Sequence, residues 1–170
     1  MHHSFSLHTN SKDILLRSIR PSDLENLRSW KNENRKSFFF QEVISPIMQN
    51  MWFEGYLNRS DDYMFIVQSP QYEIGCMGFR LLSGKADIYN VILGNREAGG
   101  QGLMSKALNL MCSYIISLSI HEIGLKVLSS NPAVKWYIKN EFVQKAVQED
   151  YLELVLEMSR FTPTTFYINT

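Results

Sequence analysis

Apolar residues recur along this chain with two periods, and the changes between them mark out its elements. Ile14 to Ile19 alternates apolar and polar positions, which predicts a strand. Pro21, Ser22 and Asp23 then interrupt, and Leu24, Leu27 and Trp30 follow at helical spacing. Ser45-Pro46 opens a second predicted helix with Met48, Met51, Trp52 and Leu57 as its apolar members. Tyr63 to Val67 and Ile74 to Leu82 read as strands. Ser83-Gly84-Lys85 is a hairpin signal, and Ala86 to Leu93 is the returning strand. Behind a glycine-rich loop, Leu103, Ala107, Leu110, Met111, Tyr114 and Leu118 form one helical stripe. Ile123 to Leu128 predicts another strand. Asn131-Pro132 opens a helix running to about Asn140, because Asn caps well and Pro suits the first turn. Val143 to Gln148 and Tyr151 to Arg160 predict two closing strands. The order is strand, two helices, three strands, helix, strand, helix, two strands, a mixed α/β domain.

Composition narrows the function classes. The 170 residues suit one domain with a substantial core. Lys plus Arg and Asp plus Glu both number 17, which argues against nucleic-acid coating and against electrostatic membrane binding. No apolar run approaches a membrane span, and MHHSFSLHTN lacks the apolar centre of a signal peptide. The expected location is therefore the cytoplasm. Residues 1–12 read as a loose tail, 13–161 as one domain and 162–170 as a C-terminal tail. Cys76 and Cys112 are far apart, match no metal spacing, and are expected as buried thiols. Three of the four histidines fall in the first eight residues, which leaves no basis for a histidine-built metal site.

REAGGQGLMSKAL, residues 96–108, places three glycines within four positions directly before a helix. A helix N-terminus offers unpaired N–H groups and partial positive charge, and glycines let backbone approach a phosphate closely. Gly99, Gly100 and Gly102, with the amides of Gln101, Leu103 and Met104, are the candidate pyrophosphate cradle; a flexible connection without ligand is the plain alternative. The P-loop pattern GxxxxGK[ST] is absent. GxGxxG is incomplete because Ser105 occupies the third glycine position, so a dinucleotide site of that kind is not expected.

At this loop the chain resembles the GNAT superfamily of acyl-CoA-dependent N-acyltransferases. That family's signature, R/Q-x-x-G-x-G/A after its fourth strand, is matched by GGQGLMSKAL with Gly102 on the central glycine and Gly99 at the Arg/Gln position. A second hallmark is an Asn, then a helix carrying a Tyr, then Gly-Phe. SSNPAVKWYIKNEF supplies Asn131, Tyr137 and Phe142, with Glu141 in place of the glycine. ILLRSIRPSDLENLRSWKN and LELVLEMSR resemble the family's first strand and helix and its last strand, so the likeness spans roughly residues 13 to 161. It implies the GNAT fold, a twisted mixed sheet of about seven strands with about four helices. WKNENRKSFFF and NMWFEGYL further resemble nucleotide-sugar N-acetyltransferases, including those of the pseudaminic acid route. The N-terminal acetyltransferases of ribosomal proteins share much of the layout.

The resemblance implies acetyl transfer from acetyl-CoA to a primary amine by direct attack in a ternary complex, with no metal. The preferred acceptor is a small molecule, a nucleotide-linked amino sugar; a peptide N-terminus and a non-catalytic CoA-binding module remain as alternatives. Backbone at Val91, Ile92 and Leu93 would pair with the pantetheine arm, joined by Asn131. An amide there could stabilise the oxyanion by roughly 3 kcal/mol. Tyr137 would be the acid for the leaving thiolate. Lys126 stands where many relatives carry a Glu, so the base is open among Asp87, Tyr89 and Glu73. The acceptor would meet Asn32, Arg35, Phe39, Trp52 and Tyr89, with Phe38, Phe53 and Tyr56 close by. Arg35 suits a phosphate because a guanidinium binds oxyanions bidentately. Met48, Met51, Trp52 and Tyr56, equally, read as core, and the Phe38-Phe39-Phe40 run as core, substrate wall or dimer contact. Relatives often pair through a sheet edge, which leaves a homodimer open.

Overall fold

The computed structural model describes residues 4–170. Its strands are β1 (Ser6–His8), β2 (Leu15–Ser18), β3 (Asp62–Gln68), β4 (Glu73–Leu82), β5 (Lys85–Leu93), β6 (Ile123–Leu128), β7 (Phe142–Val147), β8 (Tyr151–Leu156) and β9 (Tyr167–Asn169). Four α-helices join them: α1 (Leu24–Glu33), α2 (Pro46–Leu57), α3 (Leu103–Ser117) and α4 (Ala133–Lys139). All nine strands form one sheet in the order β7-β8-β6-β5-β4-β3-β2-β1-β9. Every pairing is antiparallel except β5 with β6. Between β2 and β8 the elements follow the order expected from periodicity. No helix among the described residues is long and apolar enough to cross a membrane.

The two additional strands correct the expected tails. Ser6–His8 lies between β2 and β9, with Ser6 opposite both Arg17 and Asn169. Leu7 is fully buried, so the ladder is held by core packing as well as hydrogen bonds. Residues 1–3 of the expected tail lie outside the described residues.

Side-chain alternation splits the core into two layers. On β3, Phe65 and Val67 join α3 and the larger cluster, while Met64 and Ile66 face Leu27 and Trp30 of α1 and Phe53 and Tyr56 of α2. Arg17 anchors the start of α1, donating to both carboxylate oxygens of the buried Asp23 (2.7 and 2.9 Å) and to Glu73 (2.7 Å). On α2 the buried face is Gln49, Phe53 and Tyr56. Met48 and Met51, expected as core, are exposed instead. The stripe at i, i+4, i+7 contains a glutamine, so apolarity alone misplaces its phase.

Candidate active site

Two features of β5 shape the site. The first is a bulge. Cys76 of β4 pairs with Ile92 and Gly78 with Tyr89, so β5 has one more residue than β4 between these pairs. Asn90 within it has φ +50. A bulge reverses the inward–outward phase of a strand. Ile88 accordingly joins the α3 layer and Tyr89 the α1–α2 layer, and beyond the bulge Val91 and Ile92 repeat that order despite the changed parity.

The second is a fork. β5 and β6 pair only at Ala86↔Ile123 and Asp87↔Gly124, and beyond those residues the strands part. The opening holds a cavity of about 340 Å³, with Asp87, Tyr89 and Val91 on one wall and Leu125, Lys126 and Val127 on the other. Phe38, Phe39, Asn131 and Tyr137 also line it.

Val91 leads from this fork into a second cavity of about 400 Å³ over the glycine loop, lined by Leu93, Gly99, Gly100, Gly102, Leu103, Met104 and Trp136. Gly100 and Gly102 have φ +76 and +74, and a Cβ at either would meet nothing within 4 Å, so the loop presents bare backbone to open space. The first hydrogen bond of α3 runs from Lys106 N–H to the Gly102 carbonyl at 3.1 Å. The amides of Leu103, Met104 and Ser105 precede it and lack helical partners, as helix starts must. Ser105, which spoils the dinucleotide pattern, ties α3 to α4 instead. Its hydroxyl accepts from Trp136 Nε1 (2.9 Å) and Asn140 Nδ2 (3.2 Å). Two residues expected to offer backbone to the cofactor turn their side chains elsewhere. The Gln101 side chain turns back to the Glu97 carbonyl at 3.3 Å, outside the cavity lining. Ile92 is turned by the bulge into the opposite layer.

Tyr137 is buried between Trp136 and Phe142, both edge-on. Burial lifts its phenol well above the usual 10, so it keeps its proton throughout the physiological range. Asn131 lines the fork, with its carboxamide donating to Ser37 O at 3.1 Å and accepting from Ala133 N at 2.9 Å. It thereby starts α4 and holds the 37–40 loop against the fork. Among the candidate bases, Glu73 is tied to Arg17 and Asn26 away from the cavity. Tyr89 lines the fork with its ring but donates its hydroxyl to the fully buried Asp62, and Arg80 stacks on it at 4.2 Å. Asp87 stands at the branch point, and burial raises its pKa while Arg80 and Lys126 oppose the shift. Lys126 points outward, with 59% of its side chain exposed.

A third cavity of about 270 Å³ lies between α1, α2 and β5, walled by Leu27, Ile44, Met48, Trp52 and Met64. It shares Lys31, Phe40 and Asn90 with the fork. Of the expected acceptor residues, Trp52 lies here, stacked on Tyr56, and Phe39 lies in the fork against Tyr151. Asn32 and Arg35 line neither cavity. Asn32 spends its carboxamide on the backbone of Ile44 (3.0 and 2.8 Å), and Arg35, just past the end of α1, donates to Asn32 O (3.3 Å). Phe53 and Tyr56 are core. Lys31 and Gln49 stand outside the expected acceptor set, although both carry a signal in the sequence: each is a polar residue on the inward stripe of its helix, Lys31 in step with Leu24 and Leu27, Gln49 with Phe53 and Tyr56.

Comparison with known proteins agrees with this arrangement. Solved structures similar to the chain include a spermidine N-acetyltransferase from Vibrio cholerae in complex with CoA and spermine, with TM-score 0.74 and 23% identity over 89% of this chain and 99% of that one. A domain from Methanocaldococcus jannaschii superimposes with TM-score 0.73 at 18% identity, over 84% of this chain and 97% of that one. At these identities the likeness is one of fold. No match is found among curated proteins. A family model of the acetyltransferase (GNAT) domain matches residues 13–140, three-quarters of the chain. The chain therefore belongs to the GNAT family of acetyltransferases, which move an acetyl group from acetyl-CoA to an amine.

Proposed function

We propose that this enzyme acetylates the primary amine of a small amino sugar, carried on a nucleotide, by direct attack in a ternary complex. The observation that carries the reading is the continuity of the glycine-loop cavity, the fork and the α1–α2 cavity through Val91, Lys31 and Asn90. Backbone amides of residues 103–105 and the open positions of Gly100 and Gly102 suit a pyrophosphate. Val91 and Leu93 would flank the pantetheine arm on its way into the fork. Acetyl-CoA, when bound, supplies the activated thioester.

Tyr137 is assigned as the proton donor at the departing sulfur. Its raised pKa keeps the phenol protonated but makes it a weaker acid, so its contribution is a hydrogen bond that stabilises the developing thiolate charge at the buried end of the fork. Asp87 is assigned as the base, drawing the amine's proton through water; burial raises its pKa and makes it a stronger base than an exposed aspartate. The polyamine acceptor suggested by the Vibrio cholerae enzyme suits these cavities less well. No carboxylate lines the α1–α2 cavity, and its one charged lining residue, among the described residues, is Lys31.

The test is free-thiol release from acetyl-CoA with UDP-linked amino sugars, spermidine and N-terminal peptides as acceptors. Turnover should be fastest with the sugars. Tyr137→Phe should retain micromolar acetyl-CoA binding by calorimetry while losing roughly 100-fold in kcat. Normal turnover by that variant would remove Tyr137 from its role, and a preference for spermidine would overturn the acceptor assignment.

A further inference from the structure

The wall shared by the fork and the α1–α2 cavity holds an uncompensated cation. Lys31 reaches it from α1 and donates to Asn90 Oδ1 at 2.5 Å, with its ammonium 3.4 Å from the centre of the Phe38 ring. Neither partner carries a full negative charge, and Lys31 makes no ion pair among the described residues. Beside it Gln49 is 93% buried and lines the same cavity, yet its side-chain amide makes no hydrogen bond to any described residue. An ammonium without a carboxylate and a carboxamide without a partner among the described residues both face this largely apolar cavity, where a ligand carrying negative charge would complete them. Most of the other walls are apolar, Leu27, Ile44, Met48, Trp52 and Met64 among them, so a charge placed against Lys31 there would interact strongly with it.

We propose that Lys31 and Gln49 form the specificity device of the acceptor pocket and select amines that carry an anionic oxygen group, phosphate or carboxylate. The inference rests on the N-acetyltransferase reading above and narrows its substrate class. Lys31 supplies the charge and Gln49 the amide donor. Asn90, positioned by the bulge of β5, holds the ammonium on the boundary of the two cavities. An acceptor anchored there by its anion places its amine towards the fork and Asp87. A polycation meets like charge at the same point and is turned away.

The test uses matched amines with the full-length enzyme: galactosamine against galactosamine 1-phosphate, n-propylamine against β-alanine, and spermidine as the polycation. The anionic member of at least one pair should exceed its neutral partner at least tenfold in kcat/KM. Whether the phosphate or the carboxylate pair shows the larger ratio identifies the anion. In Lys31→Met that ratio should collapse towards one, in Lys31→Arg it should survive in part, and in Gln49→Leu it should fall by a smaller factor. Equal rates within both pairs, a preference for spermidine, or an unchanged ratio in Lys31→Met overturns the proposal. A readout independent of turnover keeps the two readings apart. Calorimetric binding of galactosamine 1-phosphate and β-alanine should weaken at least tenfold in Lys31→Met, while acetyl-CoA titrated separately reports on the donor site. Absence of binding by both anions, with acetyl-CoA still bound, sinks the acceptor inference alone.

Discussion

Replacing Lys31 by methionine should make the folded enzyme more stable at neutral pH, and the gain should fade as pH rises. Burial lowers the Lys31 pKa from 10.5 to about 8. In the unfolded chain the ammonium titrates near its ordinary value. Below pH 8 both states hold the proton, and the folded state bears the full cost of the buried charge. Between about 8 and 10.5 the unfolded chain holds more protons than the folded one, so this contribution to stability rises with pH; above 10.5 the cost is gone. At about 1.4 kcal/mol per pH unit the interval amounts to roughly 3 kcal/mol, and solvent reaching the partly covered group reduces it to about 2 kcal/mol. In a chain of this size that is about 4 to 8 °C in Tm. The assay is urea unfolding of wild type and variant at steps from pH 7 to pH 10.5, read as the difference between them. The difference matters because the buried Cys112 thiol, raised by burial, erodes stability in either protein above pH 9 and cancels on subtraction; the Cys76 thiol, which the Lys31 charge holds lower in wild type, adds to the fading of the gain. A variant less stable than wild type at pH 7 would refute the reasoning. So would a gain that persists undiminished to pH 10.5, because it would belong to methionine packing and not to charge.

Three other substitutions test separate parts of the structure. Gly94→Ala would bring a Cβ to 2.2 Å from the Trp30 ring, so α1 must shift off the sheet; a loss of about 2 kcal/mol in urea unfolding is expected, with weaker acceptor binding. Glu141 holds φ +69 just after α4, at the place where the family keeps a glycine, so Glu141→Gly should raise stability by about 1 kcal/mol and Tm by a few degrees. Asp87→Asn should lower kcat and remove the acidic limb of the pH–rate profile. In wild type that limb should lie above the ordinary aspartate value of 3.8, because burial raises the Asp87 pKa, and an unchanged profile would exclude it as the base.

The order of elements from β2 to β8 was legible because each is long enough to show its period. β1 and β9 span three residues each, too short for any period, and their ladder joins positions some 160 apart, as in Ser6↔Asn169. The glycine loop was legible from local spacing and Tyr137 from the family resemblance, and the two line neighbouring cavities. The acceptor region was not. Arg35 was expected at a phosphate because a guanidinium binds oxyanions bidentately, with Asn32 beside it, yet both donate to backbone carbonyls. Lys31 and Gln49 had no part in the expected acceptor set, yet each falls on the inward stripe of its helix and lines the cavity. The bulge at Asn90 left no sequence signal, and it decides which layer Val91 and Ile92 each join.

The fork has a consequence for handling the protein. Where β5 and β6 part, the middle of the sheet has two internal edges, and an open edge flanked by Val91, Leu125 and Val127 is a template for strand addition by another chain. A ligand that lies between the edges closes that template. Protein stripped of CoA should therefore precipitate sooner in storage and concentrate less well than protein kept with it, although the sheet's outer edges are the same in both.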